Sequence, residues 1–174
     1  MLLDCLNSAV ILLKDFGLVD RHYRSASRIS KLFGEFLEAD IPDFSWRAFL
    51  SDHDRSESQL AKLNGDYRTD PDRFILGLDS WFDACFHVIW EHFKPSKQYP
   101  NYGHALKDTT IGTALPSTVE ALLELHNLRC RSYTAHPRDK AGRPTKRLKY
   151  SDFKAVRLKL VKALKETIHH FSQA

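Results

Sequence analysis

An all-α fold is what this sequence predicts: a bundle of five to six helices, with a long loop before the helix that carries its main motif. Three observations predict it. Apolar residues recur at three- and four-residue steps over long stretches. Nowhere do apolar and polar residues alternate as they do in a half-buried strand. Proline, glycine and Asp/Asn/Ser clusters separate the periodic stretches, with no internal repeat or low-complexity tract between them. Hydrophobic content of 43% with 11% aromatics argues against disorder. The 174 residues suffice to bury a real core, so residues 1–174 read as one domain whose motif-bearing half is 117–171.

The elements follow in order. Residues 2–16 read as a helix, with Leu3, Leu6, Val10 and Leu13 on one side and Gly17 ending it. Residues 20–39 repeat the pattern through Tyr23, Ala26, Ile29, Leu32, Phe33, Phe36 and Leu37. Asp40-Ile-Pro-Asp43 is a break. Residues 45–64 are a weaker helical stretch, open to a split near Asp52-His53-Asp54. Residues 72–94 are the most hydrophobic helix, with a broad stripe through Phe74, Leu78, Trp81, Phe82, Cys85, Ile89 and Phe93 that should sit centrally in the core. Residues 95–116 are the long loop, with room for one helical turn. The motif helix is expected from Ser117, capped by that residue and by Glu120, to about His136, where Pro137 stops it. A basic loop over 137–149 leads to a final helix that Ser151 can cap.

The charge of this chain is lopsided. Residues 1–128 hold 13 Lys and Arg against 19 Asp and Glu, whereas residues 129–165 hold 13 against two, Asp139 and Asp152. A basic segment of this kind fits a polyanion, an acidic partner surface or simply a solvated helix face. The apolar runs are too short for a membrane span. The first residues carry Asp4 and no basic cluster, so no signal peptide is expected. Cys5, Cys85 and Cys130 form no disulfide framework, which fits the cytoplasm. No Cys-x-x-Cys or His-Glu-x-x-His is present, and the adjacent His169 and His170 point to different helix faces, so neither a metal nor another cofactor is expected. His126, beside the apolar stripe, reads as a half-buried histidine. Nucleophile motifs and phosphate-cradling glycine loops are missing too.

What remains is Arg131-x4-His136, with Arg129-x6-His136 beside it. A guanidinium stays charged and can hold two phosphate oxygens at once. An imidazole titrates near neutrality and can move protons in phosphodiester cleavage. RNA supplies its own nucleophile, the 2′-hydroxyl, so the pair needs no metal. The spacing itself is weak: 13 arginines and 9 histidines place about one Arg-x4-His in the chain by chance. Arg47-x5-His53 is a decoy, set among Asp43, Asp52 and Asp54.

The segment from Leu125 to Asp139, with Arg131, Ser132 and His136 in the order Arg–polar–x3–His, resembles the signature of the HEPN superfamily. The Ala135-His136 pair and the closing helix after a short loop are similar to its abortive-infection U-type branch. The resemblance is specific over residues 117–170 and is only helical content before that. It implies a metal-independent endoribonuclease, a toxin of a toxin–antitoxin or phage-defence system, acting as a homodimer that joins two motifs in one cleft. Arg131 would then bind the scissile phosphate, Ser132 would orient it and His136 would act as general acid or base, leaving a 2′,3′-cyclic phosphate and a 5′-hydroxyl. Ser132 departs from the Asn or Asp often found there. The U-type branch often has five intervening residues, which lands on Cys130, so Arg129 stays open as the active arginine. On a continuous helix Arg129 and His136 would share a face, with Arg131 roughly 140° away. Arg138, Lys140, Arg143, Lys146, Arg147 and Lys149 would track RNA phosphates or dock an acidic antitoxin. Tyr133 and Tyr150 flank them and can stack on unpaired bases, although the core is the first expectation for Tyr133. The same superfamily also implies an alternative: a non-catalytic nucleic-acid-binding or protein-interaction module.

Overall fold

The computed structural model describes residues 18–139 and 141–173, and their side chains from Arg28 onward. The helix expected over 2–16, its end at Gly17, Cys5, the side chains of Tyr23 and Ala26, and Lys140 lie outside the described residues. Eight helices are described: α1 (Leu18–Leu37), α2 (Trp46–Phe49), α3 (His53–Leu63), α4 (Pro71–Phe93), α5 (Tyr102–Ala105), α6 (Thr109–Ala114), α7 (Pro116–Cys130) and α8 (Tyr150–Ser172). Among the described residues there is no sheet, only two isolated backbone bridges, and no helix is long and apolar enough to cross a membrane. The all-α architecture is as expected.

The central element is α4. Pro71 opens it where a missing N–H costs nothing, and Asp70 caps it by accepting from the Arg73 amide at 3.2 Å. Phe74, Ile75, Leu78, Trp81, Phe82, Phe86, Ile89 and Trp90 are all buried. The buried face is this wide because α3, α5, α6, α7 and α8 all pack on it. Phe33 of α1 lies at the heart of an aromatic cluster, 4.9 Å from Trp81, 5.3 Å from Phe36 and 5.6 Å from Phe82 between ring centroids. Buried indoles need an acceptor, and each has one: Trp46 donates to the Ser30 hydroxyl, Trp81 to the Ser56 carbonyl and Trp90 to the Lys97 carbonyl. Phe33→Ala is expected to destabilise the protein by about 3–5 kcal/mol, since a fully buried ring leaves a cavity among rigid neighbours. Urea unfolding checks this; a loss below about 1 kcal/mol would show that the cluster repacks.

The 45–64 stretch is split close to Asp52, as the sequence allowed, with Leu50-Ser51-Asp52 between α2 and α3. Three other boundaries differ from expectation. The 95–116 loop is more ordered than expected: Asn101 caps α5, Asp108 caps α6, and buried Tyr102, Leu106, Ile111 and Leu115 hold the segment in the core. The start of α7 is not capped by Ser117 and Glu120. Pro116 opens the helix, and the Glu166 carboxylate of α8 accepts from the Ser117 amide at 3.2 Å and the Thr118 amide at 2.7 Å. An anion at a helix N-terminus is favoured by the free amides and the macrodipole. Glu120 instead pairs with Lys159 of α8. These contacts run the start of α7 against the end of α8, so the two helices are antiparallel. Nor does Ser151 cap α8: the helix begins at Tyr150, and the Asp152 carboxylate accepts from the Lys149 amide at 2.7 Å.

Candidate nucleic-acid interface

The motif helix stops at Cys130, six residues before His136. Its last turn tightens, with the Arg131 amide bonded to the Leu128 carbonyl and the Ser132 amide to the Arg129 carbonyl. The chain then folds into a compact turn. The Ser132 hydroxyl accepts from the Ala135 amide at 3.2 Å, and the Ser132 carbonyl accepts from the His136 amide at 3.0 Å. A hydroxyl that offers this bond competes with helix continuation. Pro137 is not what ends the helix.

Asp72, in the first turn of α4, holds this turn to the bundle. It is 2% exposed. One of its oxygens accepts from the Thr134 amide at 2.9 Å and from the Thr134 hydroxyl at 2.5 Å; the other accepts from the Leu148 amide at 2.9 Å. One buried carboxyl thus joins both ends of the basic segment. No sequence pattern marked it, since Asp70-Pro71-Asp72 reads only as a turn and cap.

Between these anchors the segment is a small hairpin. The Tyr133 amide donates to the Lys146 carbonyl and the Thr145 amide to the Pro137 carbonyl, while the Thr145 hydroxyl donates to the His136 carbonyl. At its tip the Asp139 carboxylate accepts from the Ala141 and Arg143 amides, each at 2.9 Å, and from the Arg143 guanidinium at 2.8 Å. Gly142 has φ +77°, which a side chain would strain. Arg138 donates to the Gly142 carbonyl at 2.8 Å. The bonds to the Arg143 amide and guanidinium hold the Asp139 carboxyl below its ordinary value of 3.8. A lowered folded value means that the tip gains stability above the ordinary carboxylate range and loses it as pH falls through the folded value. Faster amide exchange at Ala141 and Arg143 is therefore expected only below pH 3.8, and an onset near neutrality would contradict the assignment.

The candidate side chains separate into two groups. Arg131 and His136 are exposed, at the two ends of the turn. The Arg131 Nε donates to the Asn127 carbonyl at 3.3 Å. Arg129 faces inward instead, its Nε 3.6 Å from an Asp79 oxygen. The shared face proposed for Arg129 and His136 required a continuous helix, and that helix is absent. Ser132, expected beside a phosphate, is 0% exposed, so it shapes the turn from within. Tyr133, expected first in the core, is 42% exposed, with the Arg147 guanidinium 5.7 Å from its ring centroid. Tyr150, expected to flank a ligand, packs its ring near Tyr67 and Phe153 and donates to Glu38. Arg138, Arg143, Lys146, Arg147 and Lys149 are exposed, although Arg143 is neutralised by Asp139.

Behind the turn lies a second cluster. Asp79 of α4, 3% exposed, accepts from His126 Nδ1 of α7 at 3.0 Å. Burial pushes the Asp79 carboxyl above its ordinary value, while the His126 bond and nearby Arg129 pull the other way. His126 Nε2 is 3.7 Å from Cys130 Sγ, and its ring meets buried Tyr102 edge-on at 5.1 Å. The spacing His126-x3-Cys130, one helical turn, is the signal that this contact carries in the sequence. The decoy histidine, His53, is buried against Asp54. Among the described residues no three His, Cys, Asp or Glu side chains gather as metal ligands. No family model, curated protein or solved structure matches this chain.

Proposed function

We propose that this chain is a metal-independent endoribonuclease of the HEPN type, a cytoplasmic toxin of a toxin–antitoxin or phage-defence system that works as a homodimer. The observation that carries the reading is the turn itself. It presents Arg131 and His136 to solvent at its two ends and leads directly into exposed Lys146, Arg147 and Lys149, while a buried carboxyl holds its path. In this reading the 2′-hydroxyl attacks the adjacent phosphorus and the 5′-oxygen leaves. His136 takes or returns a proton, and a second copy's His136 supplies the complementary step. Arg131 neutralises the phosphate oxygens as charge builds on them. Arg129 has its partner in Asp79 and supports the helix end. Ser132 and Asp72 are positioning residues. Tyr133 and Arg147 offer a stacking face for an unpaired base.

The test is incubation of the protein with mixed RNA in EDTA, with the termini of any fragments identified. Fragments with 2′,3′-cyclic phosphate and 5′-hydroxyl ends are expected. RNA that is bound in a salt-dependent way but stays intact would favour the non-catalytic module; RNA that is neither bound nor cut would leave the acidic antitoxin as the partner of the basic hairpin.

A further inference from the structure

We propose that Cys130 is a reactive thiol that exchanges with low-molecular-weight disulfides, activated by His126 and Asp79. This goes beyond the nuclease reading and does not depend on it. Three residues stand in series. Asp79 Oδ2 is 3.0 Å from His126 Nδ1, and His126 Nε2 is 3.7 Å from Cys130 Sγ. A proton held on Nδ1 by Asp79 leaves the Nε2 lone pair facing the sulfur. Nucleophile, base and orienting group in hydrogen-bond reach is the arrangement that activates a thiol. Asp79 and Tyr102 are each more than nine-tenths buried, and Asp79 Oδ1 and the Tyr102 hydroxyl lack protein partners among the described residues, so the polar end of the series is sealed from water.

Cys130 is half-buried and lines an open groove with Leu123, Glu124, Asn127 and Arg131. Cys85, by contrast, is fully buried, and burial pushes its thiol well up. The charged and titratable groups around the series are Asp79 and Asp83 on α4, Tyr102 on α5, Arg129 and Arg131 next to Cys130 in the chain, and Glu124 of α7 paired with Lys159 of α8.

The step balances without another reagent. The Cys130 proton passes to His126 Nε2. The thiolate attacks one sulfur of the disulfide, a new S–S bond forms and the old one breaks. The departing thiolate takes the proton back from His126. Cys130 is oxidised to the mixed disulfide, and half of the reagent is reduced.

The probe is 2,2′-dithiodipyridine at pH 6.5 with the full chain, following thiopyridone release and locating the adduct by peptide mapping. Cys130 is expected to carry the adduct and to react at least about tenfold faster than glutathione in parallel, and His126→Gln is expected to remove most of that advantage. A Cys130 rate no greater than that of glutathione overturns the proposal, as does an unchanged rate in a helical His126→Gln protein. The glutathione comparison needs no variant, so it decides the matter even where the substitution prevents folding. RNA cleavage plays no part in the readout.

Discussion

His136→Ala and Arg131→Ala are each expected to lower RNA cleavage about 10²–10⁴-fold while helical content stays at the wild-type level. Both side chains are exposed, and neither is needed by the core, so folding should survive their loss. His136 contributes its main chain to the turn, through its amide and carbonyl, and alanine preserves both contacts. Arg129→Ala makes the comparison informative. That residue is half-buried beside Asp79, so its removal should cost stability more than rate. Single-turnover cleavage of a short RNA by the three variants separates the roles. Loss confined to Arg129→Ala would transfer the phosphate-binding role inward and refute the assignment to Arg131.

Asp72→Ala should destabilise the protein by about 3 kcal/mol, because hydrogen bonds to a buried carboxyl are among the stronger ones and the Thr134 and Leu148 amides both lose their acceptor. In a chain of this size that corresponds to roughly a 6–12 °C fall in Tm. The loss should be uneven. Amide exchange should quicken at Thr134 and Leu148, which lose their acceptor, and stay slow along α4. A fall in Tm below about 2 °C, with Thr134 and Leu148 still protected, would mean that the segment holds its path without this tether.

Most of the bundle was legible, and the reason is local. The apolar spacing of α1, α4 and α8 is the 3.6-residue period itself, and it survives because the same residues that set the period are buried. Boundaries failed where the deciding partner is distant. The start of α7 depends on Glu166, 48 residues on from Thr118, and its end depends on a turn fastened to Asp72, 62 residues before Thr134. No window on the sequence around Ser117 or Pro137 contains either. Arg131 and His136 stood out because their residue types carry chemistry on their own. The inward turn of Arg129 and the burial of Ser132 did not, since both follow from where the helix stops. The Asp79–His126–Cys130 series was hidden for the same reason: two of its members are one turn apart, but the third arrives from α4.

Two of the three bonds to Asp72 come from main-chain amides, at Thr134 and Leu148. Any residue other than proline can supply such a bond, so the attachment constrains the route of the peptide far more than its spelling. The tether therefore leaves the choice of side chains between its two ends to the hairpin's own needs, chiefly Asp139 and the positive φ of Gly142 at the tip. Substitutions elsewhere along the hairpin leave the scaffold's single aspartate with both of its main-chain partners.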